Sequence, residues 1–216
     1  KGLSFARQVG LDNAKYNYVV MIDSDHILKK NQIKKLLIEM QKFNFDIIQA
    51  QINIIKLNFF TKAENEGYNL THNLPGQKKM IGTAPAIFNK LKLKHIKFDN
   101  KITKTIDDTD FYYRLHKKGK NKFGIGLTKI DCYHDPSFIS YIKKFYWYGK
   151  GDAEFCFKYK NKILSMSYHL IIRYMFIYSL KAIVSLKLIA IPYFIIQGLI
   201  RVISLYLNLF KLLLSK

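Results

Sequence analysis

Residues 17–26 read NYVVMIDSDH, an apolar run of Val19, Val20, Met21 and Ile22 that stops abruptly on Asp23-Ser24-Asp25. In an extended segment, side chains two apart fall on one face, so Asp23 and Asp25 are expected to point the same way. Two like charges that close raise each other's proton affinity unless a cation lies between them. A hard divalent ion, Mg2+ or Mn2+, accepts one or two carboxylates and leaves positions for phosphate oxygens. The plainer alternative is a polar exit from a strand with an Asp helix cap.

A second acidic group lies at residues 106–120, IDDTDFYYRLHKKGK. Asp107, Asp108 and Asp110 open an expected helix, where one acid would suffice for capping and for the helix dipole. Three in four residues exceed that need, and a carboxylate here can deprotonate an acceptor hydroxyl within hydrogen-bond reach. Arg114, on the same helix, is placed to pair with one of them. Two further sites complete the inventory. His134, in YHDPSF after a strand and before a Pro turn, offers a neutral imidazole to a metal, against the common surface histidine; His26, next to the first acidic pair, is a lesser candidate. In YIKKFYWYGKGDAEF, residues 141–155, Lys143, Lys144 and Lys150 are interleaved with aromatic residues including the single Trp147. That pattern suits stacking and phosphate neutralisation, or simply an amphipathic helix with a basic edge.

These residues need elements to hold them. Helical spacing predicts helices over 3–14, 31–43 (with Asn31 as N-cap and Ile33, Leu36, Leu37 and Met40 as the apolar face), 59–74, 108–118 ended by Gly119, and 137–148. β-Branched content predicts strands over 17–23, 46–54 and 79–88, and one or two over 123–134. Strands alternating with helices imply a parallel or mixed sheet with helices on both faces, an α/β class. Ligands of such sheets bind beyond the carboxyl ends of the strands, where Asp23 and Asp25 fall.

From about residue 166 to 214 the chain is almost wholly apolar, interrupted by Arg173, Lys181, Lys187, Arg201 and Lys211. The longest uncharged run, Leu188–Ile200, has 13 residues, where a simple spanning helix wants ~20. Two membrane-associated readings therefore stand: a pair of spanning helices, or a pair lying in the interface with cationic stems snorkelling outward. Packing against a soluble domain is the third. The expected division is 1–160 for a catalytic domain and 161–216 for a hydrophobic membrane-associated helical tail.

The formal net charge is +21, which favours anionic partners, although a Lys/Asn/Ile-rich composition also follows from a low-GC genome. The lysines are scattered rather than gathered on one recognition helix. Cys132 and Cys156 have no metal-ligand spacing and read as reduced, structural thiols of a cytoplasmic protein. KGLSFAR at the start reads as the middle of a helix, so the chain is expected to be part of a longer protein.

The order of these segments is more specific than any of them alone. KGLSFARQVGLDNAKYNYVVMIDSDHIL, then IGTAPAIFNK, then FDNKITKTIDDTDFYYRLHKKGK, then a strand ending in His134, then an apolar tail, resembles glycosyltransferase family 2 with the A-type nucleotide-sugar fold. The resemblance covers about residues 1–155 and, more loosely, the tail. It implies a partial Rossmann-like mixed sheet with flanking helices, followed by C-terminal membrane-associated helices. It implies that Asp23 and Asp25 hold a divalent metal, Mg2+ or Mn2+, on the diphosphate of a nucleoside-diphosphate sugar. Asp107-Asp108 matches an acceptor-side acid pair, with Asp108 as general base of an inverting transfer and Asp107 where the family more often has Glu. Arg7 matches an arginine near the nucleotide, Gly82–Ala86 a pocket-lining segment, and His134 a metal ligand of some members. Lys143 and Lys144 are assigned to the diphosphate from their position. The Gln-x-x-Arg-Trp signature of processive synthases is absent, and nothing corresponds to the first βαβ units that bind the nucleoside, so an unpaired sheet edge is expected. The implied activity is a hexosyltransferase of polysaccharide biosynthesis. It would use a lipid-linked or glycan acceptor at the membrane, with the catalytic domain cytoplasmic and no nucleic acid as partner. The alternatives are an inactive truncated fragment, a membrane scaffold, or a basic nucleic-acid-binding module.

Overall fold

The structure is a computed structural model that describes residues 2–55, 58–102, 105–119, 121–135 and 137–215. The turn expected at Pro136 and parts of the stretch from Phe98 to Lys120 lie outside the described residues. The chain forms two compact units interleaved along the sequence: Lys1–Ile55, His72–Lys101 and Asp107–Tyr133 in the first, and Lys56–Thr71, Ile102–Ile106 and His134–Lys216 in the second.

The first unit is a mixed sheet with helices on both faces. Its elements are α1 (Leu3–Asn13), β1 (Tyr18–Met21), β2 (His26–Ile27), α2 (Gln32–Lys42), β3 (Ile47–Ile55), β4 (Gly76–Gln77), β5 (Ala86–Asn89), α4 (Asp107–Lys118) and β6 (Phe123–Tyr133); α3 (Phe59–Thr71) belongs to the second unit. The strand order is β1-β5-β3-β6-β2, with β4 paired to β6. β3 and β6 are parallel and β5 is antiparallel to both β1 and β3, so β1, β3 and β6 point the same way. This is the fold class the sequence implied, with apolar helices following it.

The period-2 alternation of a strand buried on both faces is explicit. Ile47 and Phe88 face a core with Phe111, Tyr112 and Leu115 of α4, where Phe98 stacks on Phe111 at 4.3 Å between ring centroids. Their neighbours Ile48 and Ile87 face the opposite core, against Leu36 and Met40 of α2. α2 spans nearly the expected residues with Asn31 at its N-cap position: its carbonyl accepts the first helical bond from Lys35 N–H at 2.9 Å, but its backbone is left-handed (φ 68°) and its side chain makes no capping bond. Asn tolerates that conformation. Gly119, at φ +66°, ends α4 as expected.

Two expectations are corrected. The strand expected over 17–23 ends at Met21, because His26 N–H bonds back to the Asp23 carbonyl (3.2 Å) and turns the chain. The strand expected over 79–88 starts only at Ala86; the small residues before it pack against β3 without a ladder of their own. The two-residue strands β2 and β4 carry no periodic signal. On its far side β1 has no partner among the described residues, and Tyr18 and Val20 along it are exposed, as the edge expectation required.

The second unit is helical. It holds α3, α5 (Phe138–Lys158), α6 (Ile163–Tyr168) running through a π-helical stretch (His169–Tyr178) into α7 (Ser179–Val184), and α8 (Ala190–Leu214). Its core joins Ala63 and Leu70 of α3, Tyr141 and Phe145 of α5 and Tyr193 and Phe194 of α8. The helix expected over 137–148 continues ten residues further than that reading, to Lys158, because its glycines serve packing rather than termination. A Cβ on Gly149 would stand 2.4 Å from the Ser204 Cβ, so the glycine lets α5 and α8 touch at the backbone.

Candidate active site

The common direction of β1, β3 and β6 places Asp23 and Asp25 at the carboxyl end of the sheet. β1 and β2 stand at opposite ends of the strand order, so the loop Ile22–Asp25 carries the chain across that end. Met21 pairs with Ala86, and Ala86 with Gln49, which brings the segment Gly82–Pro85 to the same end. Gly82 N–H bonds to Gln49 Oε1 at 2.6 Å, and the buried Tyr112 hydroxyl of α4 reaches the Gly82 carbonyl at 3.3 Å. The start of α4 is thereby fixed beside the same segment. Burial pushes the Tyr112 phenol well above its usual value, and the Asp108 charge adds to that, so Asp108 lies within electrostatic range of this junction.

The acids at this end are not equivalent. Asp23 is exposed, and the Asp25 side chain is 42% exposed, with its main-chain carbonyl held by Tyr133 N–H at 2.8 Å. Because Ser24 and Asp25 lie in a turn, the pleat argument that put the two carboxylates on one face does not apply; hydrogen bonds of the loop fix them instead. Asp107 is buried, and Arg7 Nη1 donates to both of its oxygens at 2.6 Å. Asp110, fully buried, pairs with Arg114 one turn on (Nε to Oδ2, 2.8 Å). Asp108, half-buried between them, accepts from Thr109 N–H at 2.7 Å. Of the three acids on α4, two are therefore bound to arginines, and Asp108 is the most accessible.

In the second unit, Glu64 of α3 is 1% exposed and holds two partners, His134 Nδ1 at 2.9 Å and Lys144 Nζ at 2.8 Å. Burial alone would push this carboxyl up. The Lys144 charge and the bonds from His134 outweigh it and bring the group to about 2. His134 and Lys144 are thus engaged with an internal carboxylate, while Lys143 is exposed. Asp152 of α5, also fully buried, is held by two parallel bonds from Arg201 of α8, at 2.9 and 2.8 Å.

Gln49, Glu64, Tyr112 and Asp152 were not singled out from sequence. Each is an isolated polar residue in an ordinary amphipathic segment, and the partners of Glu64 lie 70 and 80 residues away. Only for Tyr112 was a signal present: a Tyr on the apolar face of a helix needs a partner for its hydroxyl.

The family model described as "Glycosyl transferase family 2" matches residues 1–124. Among solved structures, the chain is similar to S. aureus TarS 1-349, at 16% identity and a TM-score of 0.41 over 72% of this chain and 45% of that one. It is likewise similar to the same protein in complex with UDP-GlcNAc, at 15% identity and a TM-score of 0.43 over 72% and 47%. The chain thus spans less than half the length of either. No curated protein matches it.

Proposed function

This chain belongs to glycosyl transferase family 2, and from that premise we propose that it is the metal-binding and acceptor-side part of an enzyme that transfers a sugar from a nucleoside-diphosphate sugar. The observation that carries the reading is the gathering of two acid groups at one end of one sheet through Met21–Ala86–Gln49 and Tyr112–Gly82. The carboxylates fit a divalent ion: Asp23 is exposed at a strand exit, and the Asp25 side chain, 42% exposed, follows it two residues on with His26 Nδ1 3.2 Å from its Oδ1. Asp23 and Asp25 would hold Mg2+ or Mn2+, which neutralises the charge of a departing diphosphate.

Asp108 takes the proton of the acceptor hydroxyl as its oxygen attacks the anomeric carbon, giving inversion. Its place in the first turn of α4 leaves the carboxylate accessible to an acceptor hydroxyl. Arg7 fixes Asp107 beside it and would contact the nucleotide of the donor. Diphosphate binding is further assigned to Lys143, exposed on α5, and to Lys144, which also bonds Glu64.

The acceptor is a lipid-linked or surface glycan, and the enzyme works at a membrane with its catalytic part in the cytoplasm. Two helices, Lys160–Val184 and Ala190–Leu214, are long and apolar enough to cross a bilayer, with mean hydropathy 1.2 and 1.6. Two of their cations and one between them are satisfied inside the unit: Lys181 by the Leu70 carbonyl, Arg201 by Asp152, and Lys187, in the connection, by Glu66. Leu180, Val184, Leu207 and Phe210 are left exposed on an apolar surface, which suits lipid. The test is D108N in the full-length protein: transfer is abolished with donor binding nearly intact, and retained turnover refutes the assignment.

A further inference from the structure

We propose that Asp25, His26 and Cys132 form a site for a borderline-soft divalent transition-metal ion of the Zn2+ class, chemically distinct from the oxygen-donor site on Asp23 and Asp25. The pairing of β2 with β6 builds it. His26 lies directly opposite Cys132 across the antiparallel ladder, so their side chains share a face. The bond from Tyr133 N–H to the Asp25 carbonyl anchors the third residue beside them. One donor atom from each lies within 4.8 Å of the others. Around Zn2+ such donors stand about 3.5 Å apart, from bond lengths near 2.0–2.3 Å, so side-chain rotations of about 1 Å close the set.

A second observation points to a ligand. The His26 side chain is 3% exposed, and its Nε2 has no hydrogen-bond partner. Asp25 Oδ1 is likewise buried, 3.2 Å from His26 Nδ1. A buried polar atom left unpaired costs about 1–3 kcal/mol, and His26 Nε2 is such an atom, on the residue that faces a thiol 1% exposed. His26 Nδ1 lies 3.2 Å from the Asp23 N–H and 3.3 Å from the Asp23 carbonyl. The tautomer that donates to the carbonyl leaves the Nε2 lone pair for a metal, the usual support of a ligating imidazole. Asp131, the next residue on β6, is bound by Lys29 and Asn53 and does not compete.

The donor chemistry selects the ion. A thiolate, an imidazole and one carboxylate suit Zn2+, not Mg2+ or Ca2+, and three protein ligands leave a fourth position open. On the reading that Asp25 serves the donor diphosphate, an ion bound here withdraws that carboxylate and lowers donor affinity.

The site is tested in the full-length protein with Co2+ as probe, independently of transfer. Wild type is expected to show the near-ultraviolet thiolate-to-cobalt absorption, displaced by Zn2+ and not by excess Mg2+. C132S loses the band, and H26Q weakens Co2+ binding on the order of tenfold or more. D23N and C156S retain the band; burial holds the Cys156 thiol up at about 12, unsuited to ligation. No band at saturating Co2+, or a band that survives C132S, overturns the proposal. Should C132S not fold, X-ray absorption at the zinc edge of wild type decides. One sulfur at about 2.3 Å supports the site, and a shell of oxygen and nitrogen alone contradicts it.

Discussion

The buried acids of the helical unit and the accessible acids at the carboxyl end of the sheet are held in opposite ways. In the helical unit, Glu64 and Asp152 are sealed from water, Glu64 against His134 and Lys144 and Asp152 against two bonds from Arg201. At the carboxyl end of the sheet, the Asp23 carboxylate is exposed, the Asp25 side chain is partly exposed beside His26, and Asp108 is the most accessible acid of its helix start. An acid sealed inside its own chain serves architecture; acids open to solvent at strand and helix ends serve a ligand. Removing the first kind is expected to unfold the protein, and removing the second to silence it without unfolding.

The largest expected effect is on turnover. D108N should lower it by on the order of 10²–10⁴-fold, the usual worth of a general base, while thermal unfolding in detergent stays within about 0.5 kcal/mol of wild type. R201M should do the reverse. It strands a fully buried Asp152 carboxylate and costs about 3–5 kcal/mol, recovered in large part by the apolar pair R201M/D152L. Equal loss from the single and double variants would break the comparison.

Glu64 gives a pH signature. Its folded-state value, about 2, lies below the ordinary 4.5, so its contribution to stability is complete above pH 4.5 and fades as pH falls towards 2. That contribution is about 3 kcal/mol. E64Q should flatten this limb of the stability–pH curve, and an unchanged acid limb would contradict the role. G149A, which drives a methyl group into Ser204, should cost about 1–3 kcal/mol by overpacking. D23N is the smallest in stability, within about 0.5 kcal/mol of wild type, yet it should abolish metal-dependent donor binding measured by calorimetry.

The same contrast explains what the sequence made legible. Local and periodic features were readable: the strand over 46–54, the apolar face of α2, the Gly119 stop, and the Asp-x-Asp after an apolar strand. What depended on distant partners was not. The pleat argument for Asp23 and Asp25 failed because a single backbone bond from His26 to Asp23 turned the chain. Cys132 read as structural because β2, two residues long, gave no sign that His26 would face it. Glu64 carried no local signal, since its meaning lies in His134 and Lys144.

The central claim is that Asp23, Asp25 and Asp108 gather at one end of the sheet. Paramagnetic relaxation by Mn2+ bound to the full-length protein measures it directly. The amides of Asp25, Gly82 and Thr109 are expected to broaden together, and those of Asn121 and Lys122, at the opposite end of β6, to stay sharp. A sharp Thr109 resonance beside a broadened Asp25 would separate the acids and contradict the account.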